Sequence, residues 1–166
     1  MDNQNFYLKI SGAAISVILA ASALILNTGI RGLTAAAFTA AAAVLIRSAE
    51  KSSRKTGRTD RMKATLKAVK PAAELILISS GLISYSPTTT VSTAVIGLVS
   101  FSEIFSRGGL ESQEFFGQEV RTGLLILTFI GLTFNEYILF YGLIAVGLVA
   151  AFDSLYMLYE SMDTGF

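Results

Sequence analysis

Residues 10–46 read "ISGAAISVILAASALILNTGIRGLTAAAFTAAAAVLI", and this stretch decides the fold class because Arg31 is its only charged residue. An α-helix rises 1.5 Å per residue, so about 20 apolar residues cross the roughly 30 Å hydrocarbon core of a bilayer. Residues 10–28 have that length, Gly29 ends them, and residues 32–46 follow with alanine-rich faces. Because small residues let helices approach closely in a bilayer, we expect these two spans to form a tight hairpin.

The composition of the whole chain also indicates a membrane protein, and it narrows the available chemistry. Of the 166 residues, 52% are hydrophobic and 15% are charged, whereas about 25% are charged in an average soluble domain. The sequence contains no cysteine and no histidine. Common zinc sites, Ser-His-Asp triads and haem ligation by His or Cys are therefore excluded, and carboxylates are the metal ligands or general bases that remain.

Further apolar stretches bring the expected number of spans to six. Pro71 suits the first turn of a helix, where its missing N–H costs nothing, so a third span is expected over residues 71–85. The pattern therefore predicts an all-α fold. We expect one polytopic transmembrane domain over residues 1–166, a bundle of about six helices, whose last three spans cover residues 89–105, 122–134 and 137–159.

The basic residues predict the orientation of this bundle. Nine of the 13 Lys and Arg residues lie in the loop over residues 47–70. With six spans, this loop lies on the same side as Lys9, Arg107 and Arg121, and only Arg31 lies opposite. Because the loops rich in Lys and Arg stay in the cytoplasm, we expect a multi-pass protein of the plasma membrane with both termini and the basic loop cytoplasmic.

The basic loop has a second possible role besides fixing the orientation. Nine cations less the carboxylates of Glu50 and Asp60 give it a net charge of +7, and each basic residue near a membrane surface attracts anionic headgroups by about 1 kcal/mol. Nucleic acid is not expected, because no aromatic residue interleaves with the cations. Orientation alone and additional contact with lipid phosphate both remain open. The residues expected to contact lipid phosphate are Arg54, Lys55, Arg58, Arg61, Lys70, Arg107 and Arg121.

Three acidic residues fall within the expected spans, namely Glu74, Glu103 and Asp153, and all three lie in the cytoplasmic half. Ionisable groups inside a membrane normally face the bundle interior or a water-filled cavity. One interpretation is a shared polar site open to the cytoplasm, with these three residues as its catalytic candidates. The other is local pairing of Glu74 with Lys70 and of Glu103 with Arg107, each four residues apart. Asp153 has no comparable neighbour in the sequence.

Two segments carry a resemblance to a known family. Residues 67–84, "KAVKPAAELILISSGLIS", look like the start of a third membrane helix, and residues 116–134, "FGQEVRTGLLILTFIGLTF", contain a Gly-x-x-x-Arg element followed by an apolar run. Both segments resemble the CDP-alcohol phosphatidyltransferases, which have six helices and cytoplasmic termini. The residues that match are Glu74, Gly117 and Arg121.

The catalytic motif of that family, D-x2-D-G-x2-A-R-x8-G-x3-D-x3-D, is missing. When the third helices are matched at residues 72–74, its last two aspartates fall at Leu66 and Lys70, and its first two fall near Leu45 and Ser48. In the family, the aspartates hold a divalent metal against a diphosphate, for which oxygen ligands are needed. Lysine replaces such a ligand with a cation, so the resemblance implies a relative that has lost metal-dependent transfer.

Three functions follow from these expectations. The first is a non-catalytic membrane protein, a pseudoenzyme without cofactor or metal, that acts as a structural or regulatory partner in phospholipid headgroup biosynthesis. The second is an active lipid-headgroup transferase that uses Glu74, Glu103 and Asp153 together with magnesium. The third is a small transporter or channel subunit. The expected partners are the lipid bilayer, anionic phospholipid headgroups and a membrane protein in a homo- or hetero-oligomer. The small-residue helix faces could pack within one bundle or between chains, and both alternatives stay open.

Overall fold

The computed structural model describes residues 2–26, 30–55, 60–85, 96–98 and 116–163. These residues contain no strand, so the expected all-α class is confirmed for them. The expected fourth span, 89–105, lies outside the described residues except at 96–98. The helices are α1 (Asp2–Ile25), α2 (Arg31–Lys55), α3 (Asp60–Tyr85), the helical segment α4 (96–98), α5 (Gly117–Leu132) and α6 (Glu136–Asp163).

In the part of the chain that the structure describes, three helices are long and apolar enough to cross a membrane: Gln4–Ile25, Arg31–Ser53 and Glu136–Glu160. Large apolar side chains on their outer faces are exposed, for example Ile15 at 59% and Leu148 at 63%. Water-soluble proteins rarely expose extended apolar surface. Length, composition and surface are therefore consistent with a location in the membrane.

The basic stretch is helical where a loop was expected. α2 continues to Lys55 and α3 begins at Asp60, while residues 56–59 lie outside the described part of the chain. The helices continue here because apolar residues at helical spacing have something to pack against. A small core at this end of the bundle buries Phe6, Ile10, Ala49, Met62 and Leu66.

The expectation that Pro71 starts a helix is wrong. Pro71 is buried in the interior of α3, well after the helix begins at Asp60. A proline inside a helix removes one backbone hydrogen bond. The rest of α3 nevertheless continues as a helix to Tyr85.

The long helices are packed in a ring. α1 packs against α2 and α3, α2 packs against α5, α5 packs against α6, and α6 packs back against α3. α1 and α2 bring buried alanines into the common core, among them Ala13, Ala20 and Ala35. Small side chains of this kind let helices approach closely. Between α2, α3 and α5 the ring leaves a cavity, which is described below.

The helices approach most closely at the end of the bundle away from the basic stretch. A Cβ atom at Gly32 would overlap the carbonyl oxygen of Phe129, and a Cβ atom at Gly142 would overlap the side chain of Thr128. A side chain at either position would therefore force this packing to shift. The break between α5 and α6 also lies at this end, where the Tyr137 N–H donates a 2.9 Å hydrogen bond to Oδ1 of Asn135.

Candidate functional site

Three charged residues from three helices meet in the interior of the bundle. Nε of Arg121 on α5 donates to Oε1 of Glu74 on α3 at 2.7 Å, and its Nη1 donates to Oδ2 of Asp153 on α6 at 2.8 Å. Arg121 is 1% exposed, Glu74 3% and Asp153 0%. We call these three residues the Arg121 cluster. Hydrogen bonds between ionised groups are the strong ones in proteins, so the cluster ties α3, α5 and α6 together.

The start of α5 explains how Arg121 reaches this position. Gly117 has a φ of 70°, a left-handed conformation that glycine adopts without steric cost. The chain turns there, and the preceding Phe116 N–H donates a 2.8 Å hydrogen bond to Oδ1 of Asp153. Asp153 therefore caps α5 from another helix, at the end where the helix dipole favours a negative charge. Arg121 follows one helical turn later.

The burial of this cluster makes its three members dependent on each other. Moving a charge out of water is costly, and attraction between partners offsets that cost only when the geometry is good. Here one guanidinium faces two carboxylates within hydrogen-bonding distance. Loss of Arg121 would leave Glu74 and Asp153 as buried like charges. The cluster is therefore held together as a unit.

The structure brings together two of the three acidic residues singled out from the sequence. Glu74 and Asp153 both bind Arg121, and Glu103 lies outside the described residues. Lys70, the residue expected to pair with Glu74, has its Nζ 3.0 Å from Oε2 of Glu50 on α2, and its pairing with Glu74 stays a prediction. The expected partner of Glu103, Arg107, also lies outside the described part of the chain.

The basic residues expected to contact lipid phosphate are spread over different environments. Arg61 is exposed, Lys70 is half-buried against Glu50, and Arg121 is fully buried in its cluster. Arg54 and Lys55 lie in the last turn of α2, with side chains that are not among the described ones. Contact with lipid phosphate stays a prediction for this set, in which Arg58 and Arg107 lie outside the described residues.

A half-open cavity of about 280 Å³ adjoins the Arg121 cluster and shares Glu74 with it. Stripes of side chains at helical spacing on α2, α3 and α5 line this cavity. Its deep part is largely apolar and includes Val17, Leu77 and Leu125. The cavity is therefore amphipathic, because charged residues lie where it opens toward the basic end of the bundle.

Two ion pairs lie at the mouth of the cavity. Nη2 of Arg47 is 3.3 Å from Oε1 of Glu119, and Nζ of Lys70 is 3.0 Å from Oε2 of Glu50. Arg47 and Glu119 are exposed over 67% and 78% of their side chains, so this pair borders solvent. The mouth thus offers two cations and two carboxylates side by side.

Sequence reasoning expected a polar site open to the cytoplasm but did not identify the residues of α2 that line this cavity, although α2 carries a signal for them. Thr39, Ala42, Ile46 and Glu50 recur at three- and four-residue intervals and therefore share one helix face. In the sequence this face is hidden among the many alanines of α2, which are also small and apolar. A polar residue at the centre of an apolar span, here Thr39, was the usable clue.

The Arg121 cluster does not fit a magnesium ion. Magnesium requires several oxygen ligands arranged around it, whereas a guanidinium lies between the two carboxylates of this cluster. Among the described residues, no group of three or more acidic side chains is arranged to hold a metal ion.

Comparison of the chain with protein-family models, with curated proteins and with solved structures finds no match. The resemblance to the CDP-alcohol phosphatidyltransferases stays a prediction from the sequence.

Proposed function

We propose that this protein is a non-catalytic, multi-pass membrane protein that binds lipid and acts as a structural or regulatory partner in phospholipid headgroup biosynthesis. The observation that carries the proposal is that Arg121 holds both Glu74 and Asp153 in the bundle interior. A general base must reach the substrate with an oxygen able to take a proton. Both oxygens of Asp153 already accept hydrogen bonds, one from Arg121 and one from the Phe116 N–H.

The proposed location is the plasma membrane, with the basic stretch on the cytoplasmic side. Three apolar helices and the concentration of Lys and Arg at one end of the bundle support it. Because the chain has no cysteine, a single introduced cysteine reports its own accessibility. In intact cells, a membrane-impermeant maleimide should label Phe134→Cys, and it should label Lys63→Cys only after permeabilisation. Labelling of Lys63→Cys in intact cells would show that the orientation is the opposite of the proposed one.

The absence of transferase activity is tested in proteoliposomes. The purified protein receives a CDP-linked lipid, magnesium and a small alcohol acceptor, and release of CMP is measured. The proposal predicts that CMP is released no faster than in vesicles without the protein. Release of CMP that depends on magnesium and is lost in Asp153→Asn would instead establish the transferase alternative, provided that the variant remains folded.

The partner role is tested by co-reconstitution with an active headgroup transferase. We expect this protein to change the transferase's turnover or thermal stability, because a partner binds the enzyme directly. A Tyr141→Arg variant, altered on an exposed part of α6, serves to map the contact. Unchanged turnover and stability over a wide range of protein ratios would contradict the role.

A further inference from the structure

A buried hydroxyl group of the cavity lining has no hydrogen-bond partner among the described residues. Thr39, in the middle of α2, is 1% exposed, and its Oγ1 makes no hydrogen bond to the described part of the chain. The same residue lines the cavity. Burying a hydroxyl without a hydrogen-bond partner destabilises a protein. A group supplied from outside the chain would remove that cost.

Several other hydroxyl groups on the helices behave differently. Ser and Thr side chains inside a helix commonly donate to the carbonyl oxygen four residues earlier. Ser16, Ser80, Thr128 and Ser154 all do so here, with distances of 2.6 to 2.9 Å. Thr39 differs from these four residues, because its Oγ1 makes no hydrogen bond to a described residue. The hydrogen-bonding capacity of this hydroxyl is thus unused by the described part of the chain.

The length of the cavity indicates an elongated ligand. Thr39 and Glu50 both line it on the same face of α2, and 11 residues of helix span about 16 Å. Between them the lining is mainly apolar, while charged residues lie at the mouth. A molecule that fills this space has a charged end, a polar atom farther in and an apolar body, which is the chemistry of a phospholipid.

The charges at the mouth select between classes of headgroup. Arg47 and Lys70 are each matched by a carboxylate, Glu119 and Glu50 respectively. A purely anionic headgroup would approach both cations but would also face both carboxylates. A zwitterionic headgroup satisfies both signs, because its phosphate can bind the cations and its ammonium the carboxylates.

From these observations we infer that the cavity binds a zwitterionic phospholipid, with its headgroup between the two mouth ion pairs, its body extending inward along α2, and an oxygen of the lipid accepting a hydrogen bond from Thr39. The apolar chain then lies along Leu77 and Leu125. This inference deepens the proposed lipid-binding role and rests on it. The site inferred here is not the basic stretch that is expected to attract anionic lipid. It lies in the cavity, and it binds a zwitterionic headgroup.

The experiment measures equilibrium binding of radiolabelled single-chain phospholipids to the full chain in detergent micelles. The probes are lysophosphatidylethanolamine, which is zwitterionic, and lysophosphatidylglycerol, which is anionic. We expect saturable binding with a clear preference for the zwitterionic probe. Absence of saturable binding, or a preference for the anionic probe, would overturn the inference.

The contact with Thr39 is tested by Thr39→Val, which keeps the shape of the side chain and removes the hydroxyl. Loss of one hydrogen bond should weaken binding about fivefold. Ser53→Ala is the matched control, because Ser53 also has a buried hydroxyl without a partner on α2 but does not line the cavity. Equal affinity of Thr39→Val and the unchanged protein would mean that water satisfies the hydroxyl, and would overturn the assignment.

The cavity itself is tested by filling it. Ala73 on α3 lines the cavity, whereas the adjacent Ala72 is exposed on the outside of the bundle. Ala73→Phe should abolish binding, and Ala72→Phe should leave it unchanged. If Ala73→Phe fails to fold, the affinity of Thr39→Val for the lipid still tests whether the lipid lies in the cavity. Equal binding by both phenylalanine variants would place the lipid elsewhere.

The headgroup assignment is tested by removing the carboxylates at the mouth. In the double variant Glu50→Gln, Glu119→Gln, both cations lose their partners in these pairs, so the preference should shift toward the anionic probe. If the double variant still prefers the zwitterionic probe, the headgroup assignment is contradicted. Magnesium-dependent CMP release would refute the proposed non-catalytic function, whereas a failure of lysolipid binding without such release would refute only the present inference.

Discussion

The two ends of the bundle are built in different ways. The glycine end, around Gly32 and Gly142, has no space for even a methyl group between its helices. The charged end, around the Arg121 cluster, has a cavity of about 280 Å³ and ion pairs that link its helices. The difference teaches that close packing holds one end of this fold, whereas electrostatic links hold the other end where close packing is interrupted.

The glycine end also has an ion pair, but of a weaker kind. Nη2 of Arg31 lies 2.6 Å from Oε1 of Glu136, and its Nη1 donates to Oγ of Ser84 at 3.2 Å. The Glu136 side chain is 71% exposed. Water therefore screens this pair, and its loss leaves no unpaired carboxylate in the interior, in contrast to the Arg121 cluster.

The largest effect is expected from breaking the Arg121 cluster. Arg121→Met leaves two carboxylates buried without their cation, and removing one partner from a buried ion pair costs about 3 to 5 kcal/mol. The free energy of unfolding, measured by denaturant titration in detergent micelles, should fall by that amount. Arg61→Met, on an exposed position of α3, is the control and should have little effect. A similar small change in both variants would contradict the role given to the cluster.

A smaller effect is expected from crowding the glycine end. Gly142→Ala places a methyl group against the Thr128 side chain, and overpacking of this kind costs about 1 to 3 kcal/mol. Gly123→Ala is the matched control, because nothing lies within 4 Å of a Cβ atom there. The added variant Thr128→Ala should restore part of the stability of Gly142→Ala. Equal stability of the two Gly→Ala variants would show that the helices at this end are not in close contact.

The smallest effect is expected at the mouth of the cavity. Arg47 and Glu119 are both largely exposed, so Glu119→Gln should change the free energy of unfolding by less than about 0.5 kcal/mol. Denaturant titration in detergent micelles measures this change, and the loss in Arg121→Met is the value with which it is compared. A loss approaching that of Arg121→Met would mean that the mouth pairs support the fold, and would remove the distinction between them and the buried cluster.

Much of the fold could be predicted from the sequence, because long apolar runs have few alternatives. The uncharged stretches of α1, α2 and α6 indicate helices long enough to cross a membrane. The helix ends were harder to predict. α2 and α3 continue into the basic stretch because Met62 and Leu66 pack against α1, and such packing depends on tertiary structure.

Less of the candidate site could be predicted. The rule that acidic residues inside a membrane face the interior picked out Glu74 and Asp153. Their partner could not be found by local spacing, because Arg121 lies 47 residues from Glu74 and 32 from Asp153 along the chain. Arg121 was instead expected to contact lipid phosphate, since it lies at the end of a polar connection. Only the arrangement of α3, α5 and α6 joins the three residues.

The most direct test of the central claim, that the Arg121 cluster supports the structure by mutual neutralisation, is the stability of a neutral triple variant. Arg121→Met, Glu74→Gln and Asp153→Asn together remove all three charges. Replacing a complete buried ion-pair network is often neutral for stability. The account predicts that the triple variant regains most of the free energy of unfolding lost in Arg121→Met alone. A triple variant as unstable as Arg121→Met would contradict it.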